Sequence, residues 1–258
     1  MAGNLKIGQI FQKRYLLLAE LGRGGAGLVF HAQQVDVDRD VALKTLRDEK
    51  KADAETVGRF FREFRTLSGL SHPHIMTGYG VALDDDDSPY AICEFVRGVS
   101  LRKTLRDEGA MPWQRAVRIL IQVCQASKYA HQKGVIHRDL KPDNIMLDMQ
   151  GPPDFVKILD FGLSKSFVDI GPEHGPKLTW TGQLIGSPQY MSPEQTMNKA
   201  DCRSDIYSSG CLLFELLCGE QLFTADVAIA IILKQCNEDP HPRFASIPGS
   251  VPENLFSI

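Results

Sequence analysis

The 258-residue chain has Lys+Arg 29 against Asp+Glu 32, a net charge of -3, with 43% hydrophobic and 24% charged residues. This is the composition of a soluble globular protein, long enough for one large domain or two small lobes sharing a cleft. The balanced charge excludes the basic excess or stripe expected of a nucleic-acid binder.

No apolar h-region lies in Met1–Ile10, so no signal peptide is expected. The longest apolar segment, Ile206 to Cys218, is interrupted by Ser208, Ser209 and Glu215 and reads as a buried helix rather than a membrane span. The six cysteines, Cys93, Cys124, Cys202, Cys211, Cys218 and Cys236, form no C-x-x-C pair. They read as buried, reduced thiols, which points to a reducing, cytoplasmic setting.

The first ninety or so residues are strand-rich. Tyr15–Glu20, Leu28–Gln33 and Asp40–Leu46 are short strands, the last two joined by the polar turn Asp36–Arg39. Residues 52–69 have helical periodicity, with Phe60, Phe64 and Leu67 on one face, and Ser71-His72-Pro73 stops the helix. Met76–Leu83 and Pro89–Phe95 form a hairpin around Asp84–Ser88, whose four aspartates read as a solvated loop rather than a metal site.

From Ser100 the character changes to helical. Ser100–Glu108 and Met111–Gly134 are predicted helices, the second with Trp113, Val117, Leu120, Val123 and Cys124 in register. Ile145–Asp148 and Val156–Leu159 are short hairpin pieces. Residues 163–190 are rich in Gly, Pro, Ser and Thr and have no helical or strand pattern, which marks a loop that is either functional or disordered. Helices resume at Asp205–Leu217 and Ala225–Cys236. The expected boundary places residues 1–95 in a strand-rich lobe and 96–258 in a helical one.

Chemistry concentrates in four places. Gly22-Arg23-Gly24-Gly25-Ala26-Gly27 fits G-x-G-x-x-G, whose bare backbone can approach phosphates and present N–H groups to them. The segment that follows reads as a strand, whereas a dinucleotide site needs the glycines to open a helix. Lys44 ends the strand run Val41-Ala42-Leu43-Lys44, 17 residues beyond Gly27, and can reach phosphates held there. Glu63, on the polar side of the 52–69 helix, is either its partner or an ordinary surface glutamate. In His137-Arg138-Asp139-Leu140-Lys141-Pro142-Asp143-Asn144, Asp139 can accept a hydroxyl proton, Lys141 can neutralise charge on a transferred phosphoryl group, and Asn144 can ligate a metal. Asp160-Phe161-Gly162 then supplies a carboxylate suited to magnesium, which takes few protein carboxylates alongside phosphate oxygens. Phosphoryl transfer needs chiefly positioning and charge stabilisation, and this set offers both.

With Ser192-Pro193-Glu194 and Asp205–Gly210 following in order, the chain resembles the eukaryotic-type (Hanks-type) serine/threonine protein kinases, most closely the bacterial members, over roughly residues 8–258. The resemblance implies an α+β, bilobal fold: an antiparallel-sheet N-lobe with one helix and a mainly helical C-lobe. It implies ATP and Mg2+ (or Mn2+) as cofactors and proteins bearing Ser or Thr as substrates. Lys44 would contact the phosphates and pair with Glu63, Asp139 would be the base with Lys141 beside it, and Asn144 and Asp160 would hold the metal. Leu21 and the loop Gly22, Arg23, Gly24, Gly25, Ala26 and Gly27 would cover ATP. Cys93 stands at the gatekeeper position, and Glu94 to Val96 match the adenine-binding hinge. Val29, Ala42 and Leu147 match residues that sandwich adenine, although core packing explains them equally well. Lys141 favours Ser/Thr over Tyr acceptors. Arg138 matches the partner of a phosphorylated activation loop, with Thr179 and Thr181 the expected autophosphorylation sites. Ser187 matches a hydroxyl that touches the catalytic aspartate.

The bacterial members are often membrane-anchored and homodimeric, which would make this chain their cytosolic part. No arginine follows at the place where Glu194 would find its family partner, since Arg243 comes too early. The C-lobe is therefore expected to be truncated at its C-terminal end. A pseudokinase scaffold and a small-molecule phosphotransferase are the rival readings. Retention of Lys44, Asp139 and Asp160 argues against the first, and Ser192-Pro193-Glu194 against the second.

Overall fold

The computed structural model describes residues 5–23, 27–46, 54–161 and 187–252. The chain divides into two compact units, Met1–Arg97 and Gly98–Ile258.

The first unit is built on a six-stranded antiparallel sheet of β1 (Ile10–Phe11), β2 (Tyr15–Arg23), β3 (Gly27–Gln34), β4 (Arg39–Leu46), β5 (Gly78–Leu83) and β6 (Pro89–Glu94). The strand order is β1-β2-β3-β4-β6-β5. Period-2 alternation decides what each face carries. Leu28, Phe30 and Ala32 of β3, Val41 and Leu43 of β4, and Tyr90 and Ile92 of β6 bury together with Phe11, Tyr15 and Leu17. The residues between them, Val29, Ala42 and Lys44, therefore point to the opposite face. Helix α1 (Ala54–Ser68) packs against β5 through the buried stripe Phe60, Phe64 and Leu67, as the spacing predicts. In the acidic turn, Asp84 Oδ1 accepts the N–H groups of Asp86 and Ser88 at 3.0 and 2.8 Å, so one carboxylate caps its own loop.

The second unit contains the three-stranded sheet β7 (Gly98–Ser100), β8 (Ile145–Asp148) and β9 (Phe155–Ile158). Its helices are α2 (Leu101–Glu108), α3 (Trp113–Gln132), α4 (Pro193–Thr196), α5 (Cys202–Cys218) and α6 (Ala228–Asn237). Ser100 is extended and accepts Lys103 N–H at 3.2 Å, so it caps α2 rather than beginning it. Asp201 caps α5 in the same way, and Gly219 closes that helix with φ 74°.

Three expectations need correction. The buried stripe of α3 is Ala116, Ile119, Val123, Ala126, Ser127 and Ala130, so Val123 lies at its centre, Trp113, Val117 and Leu120 flank it half-buried, and Cys124 is exposed. This helix packs on both α5 and β9, and the residues it buries there are mostly small. The end of the 163–190 segment is not patternless: Pro188–Tyr190 form a 3-10 turn, with proline pre-set for its first position. All six cysteines are free thiols, but Cys124, Cys202 and Cys236 are exposed, because each lies on the solvent side of its helix. Cys211 is buried, which pushes its thiol up to about 12.

Candidate active site

The stretch His137–Asn144 links α3 to β8 and is fixed from beneath by Asp205, near the start of α5. Asp205 is 1% exposed. Its Oδ2 accepts His137 N–H at 2.9 Å and faces His131 Nε2 at 2.7 Å, and its Oδ1 accepts Arg138 N–H at 2.9 Å. Burial works against ionisation there, yet the His131 contact and the two backbone N–H groups hold the carboxyl below its ordinary range. Arg138 has φ 67°, a strained conformation for a residue with a side chain. The Gln195 amide also donates to the Arg138 carbonyl at 2.8 Å, so Arg138 is held through both of its backbone polar groups.

His137 is fully buried and joins the loop to the end of β9. Its Nδ1 accepts Asp139 N–H at 3.2 Å, which leaves Nε2 to carry the proton donated to the Leu159 carbonyl at 2.9 Å. Leu159 N–H in turn donates to the Asn144 carbonyl at 2.8 Å. Leu159 is thus clamped to the loop through both backbone groups, and Asp160 follows directly, with φ 55°. Phe161 is buried edge-on against the His137 ring at 4.7 Å.

Asp139, Lys141 and Asn144 meet on this frame. Lys141 Nζ lies 2.7 Å from Asp139 Oδ2 and donates to Ser187 Oγ at 2.8 Å. Asn144 Nδ2 donates to Asp139 Oδ2 at 3.0 Å and to the Asp139 carbonyl at 2.8 Å. One carboxylate oxygen of Asp139 is therefore saturated. Oδ1 remains, without a hydrogen bond among the described residues, as the oxygen able to take a proton. With its nitrogen committed, Asn144 presents Oδ1 as a metal donor. An amide oxygen plus the Asp160 carboxylate fits magnesium, which draws its remaining ligands from phosphate and water. Among the described residues no group of three His, Cys, Asp or Glu side chains could hold a metal by itself.

In the first unit, cross-strand pairs place Val29 opposite Lys44 and Ala42 opposite Cys93, so these four lie on the sheet face opposite the Leu28, Phe30, Val41 and Leu43 cluster. Lys44 Nζ is 6.0 Å from the Phe64 ring centroid of α1. Glu63 is half-buried on α1. Leu21, Gly22 and Arg23 end β2, with Gly22 paired to Val29, and Gly27 opens β3. A Cβ at Gly27 would lie 1.7 Å from the Thr45 carbonyl oxygen, so only glycine allows β3 to approach β4 there. The glycine cluster thus spans a strand-to-strand connection, not a strand-to-helix one. Glu94 is bound to Thr77, whose N–H donates to Glu94 Oε2 at 3.0 Å and whose carbonyl accepts Glu94 N–H at 2.8 Å. Val96 is buried. In the second unit Leu147 is buried on β8, paired with Val99 and Val156. Gly24, Gly25, Ala26, Gly162, Thr179 and Thr181 lie outside the described residues.

Residues 15–250 match the protein kinase domain family. The chain belongs to the protein kinase family. This kinase domain is 40% identical over 238 residues to the serine/threonine-protein kinase pkn3 of Myxococcus xanthus, covering 92% of this chain and 43% of that protein. It is 39% identical over 240 residues to the serine/threonine-protein kinase PknB of Mycobacterium tuberculosis, covering 92% of this chain and 37% of that protein. The chain therefore spans about two fifths of the length of these relatives. Among solved structures, Rad53 residues 1–466 in complex with AMP-PNP superimposes with a TM-score of 0.70 at 27% identity, covering 92% of this chain and 58% of that one. The α+β kinase fold, with an antiparallel-sheet unit and a helical unit, is the one expected. No helix among the described residues is long and apolar enough to cross a membrane.

The kinase domain also holds a charged cluster that sequence reasoning missed. Arg102 of α2 donates to Glu215 Oε1 at 2.6 Å, to the Tyr190 hydroxyl at 2.5 Å and to Asp143 Oδ2 at 3.2 Å. The Tyr190 hydroxyl also bonds Glu215 Oε2. One guanidinium thus ties α2, the His137–Asn144 loop, the Pro188–Tyr190 turn and α5 together. The signal was Glu215 itself, a charge within the apolar run Leu212–Leu217. Glu194 lacks the expected arginine among the described residues, and Arg243 instead pairs with Glu220 at 2.9 Å. Burial pushes the Glu194 carboxyl up, but the Ser204 hydroxyl, donating to its Oε1 at 2.7 Å, and its own backbone N–H hold it below the usual range.

Proposed function

We propose that the chain transfers the γ-phosphoryl group of ATP to serine or threonine hydroxyls of proteins. The observation that carries this reading is the Asp139 carboxylate: Oδ2 is occupied by Lys141 and Asn144 while Oδ1 has no hydrogen bond among the described residues. As the acceptor oxygen bonds to the γ-phosphorus and the bond to the β–γ bridging oxygen breaks, ADP leaves and the hydroxyl proton passes to Asp139. Lys141 offsets charge on the transferred group. Asn144 and Asp160 hold Mg2+ (or Mn2+), which supplies charge neutralisation on the phosphates. Such transfers depend on positioning and electrostatics more than on covalent chemistry.

Lys44 contacts the ATP phosphates and pairs with Glu63, and residues 21–27 cover them. Glu94 and Val96 bind the adenine edge through their backbone, with Cys93, Val29, Ala42 and Leu147 around the ring. Support comes from Val29, Ala42, Lys44 and Cys93 sharing one sheet face, opposite the one that buries Leu28, Phe30, Val41 and Leu43. Lys141 within Asp139–Asn144 supports Ser/Thr acceptors. Phosphorylation of Thr179 and Thr181 activates the domain, because each phosphate adds about -1.5 to -2 charge that Arg138 can capture. Mass spectrometry of active protein should find at least one of these threonines modified.

The direct test is incubation of the chain with labelled ATP, Mg2+ and myelin basic protein. Label should enter Ser and Thr, and Asp139→Asn should cut the rate of incorporation by about 10³-fold. Undiminished incorporation by that variant would remove Asp139 from the role of base.

A further inference from the structure

The turn Pro188–Tyr190 lies close to the reacting carboxylate. Ser187, immediately before it, accepts a hydrogen bond from Lys141 Nζ, the ammonium that also contacts Asp139 Oδ2. A protein hydroxyl brought to Asp139 therefore arrives one lysine side chain away from Ser187 and the turn that follows it. Side chains from two helices bind all three of its carbonyls. Gln235 Nε2, on α6, donates to the Pro188 carbonyl at 3.1 Å and to the Gln189 carbonyl at 2.8 Å. Ser208 Oγ, on α5, donates to the Tyr190 carbonyl at 2.7 Å.

Gln235 is 5% exposed, and its amide is fully used. Carbonyls only accept, so the NH2 end must face them, and Oε1 is left to accept the Tyr207 hydroxyl. Its neighbours Ile231 and Ile232 are buried and apolar, so packing alone would be served by leucine. What glutamine adds is a pair of donors spaced for two successive peptide carbonyls. An amide that holds both fixes the orientation of the peptide planes between them.

We infer that Gln235 is a positioning residue for the phosphoacceptor: it sets the course of residues 187–190 and thereby how a protein substrate is seated beside Asp139. The inference rests on the kinase reading above. It assigns Gln235 no contact with ATP or with the reacting atoms, so its effect falls on the protein substrate.

Gln235→Leu keeps the volume and removes both donations. Its KM for myelin basic protein should rise roughly tenfold while its KM for ATP stays within about twofold of wild type. Amide hydrogen exchange across residues 187–192 should accelerate roughly tenfold in the same variant, a readout independent of activity. If Gln235→Leu does not fold, Ser208→Ala removes the neighbouring anchor and should shift the same two readouts in the same direction. A wild-type chain that phosphorylates nothing overturns the kinase reading and this inference with it. An active wild type whose folded variants keep the protein-substrate KM, or raise both KM values in parallel, overturns this inference alone.

Discussion

Asp205 Oδ1 accepts the backbone N–H of Arg138 at 2.9 Å, and Arg138 stands at φ 67°. A left-handed residue bearing a side chain costs of order 1–3 kcal/mol. The carboxylate offsets that cost and holds the backbone N–H groups of His137 and Arg138, just ahead of Asp139. Asp205→Ala leaves two backbone N–H groups and His131 without their acceptor, with an expected loss of about 3–5 kcal/mol in unfolding free energy. Urea unfolding measures it, and a loss within about 1 kcal/mol would be that of an ordinary surface substitution.

The same residue has a signed pH dependence. Its folded pKa lies below the unfolded value of about 3.9. The native state therefore binds fewer protons than the unfolded state as pH falls through that region. The stabilisation is complete above the unfolded value and is lost as pH drops through the folded one. The stability gap between wild type and Asp205→Asn should be constant near about pH 7 and narrow below about pH 4. A gap unchanged across that range in acid titration would show that the carboxylate charge contributes nothing.

Asp139→Asn keeps the shape of the side chain but removes its basicity. A kcat loss of about 10³-fold is expected, within the range of general base catalysis, at nearly unchanged KM for ATP. Lys141→Met removes the ammonium shared by Asp139 Oδ2 and Ser187 Oγ. Its loss should fall on kcat by about 10²-fold, as for one electrostatic stabiliser. Steady-state kinetics that placed either loss mainly in the KM for ATP would contradict these roles.

Among the described residues, Arg102→Ala leaves the buried Glu215 carboxylate with only the Tyr190 hydroxyl. The full penalty for such a broken pair is about 3–5 kcal/mol, and the partial exposure of Arg102 reduces the expectation to about 2 kcal/mol. Arg102→Leu combined with Glu215→Leu should recover much of that loss, since no unpaired charge then remains buried. A double-mutant cycle by thermal or urea unfolding checks this, and strict additivity would mean the two side chains are not coupled.

Much of the fold could be read from the chain because its elements are locally specified. The alternation in Leu28–Gln33 and Asp40–Leu46 put the core on one sheet face. The 3.6-residue spacing of Phe60, Phe64 and Leu67 marked the buried side of α1. The spacing from Asp139 to Asn144 carried the phosphate chemistry, because a short loop brings both side chains together wherever the rest of the chain goes. What the sequence did not show depends on contacts distant along the chain. The stripe of α3 is centred on Ala116, Ile119, Val123, Ala126 and Ala130 by its packing on α5 and β9, and side-chain size gave no warning of it. Asp205 lies 67 residues from the Arg138 it holds, Glu215 lies 113 from Arg102, and Gln235 lies 46 from Gln189. A lone polar residue in an apolar helix signals that a partner exists but not which one. Only the tertiary structure, by bringing buried donors and acceptors within 3 Å in a place water cannot supply them, decided those pairings.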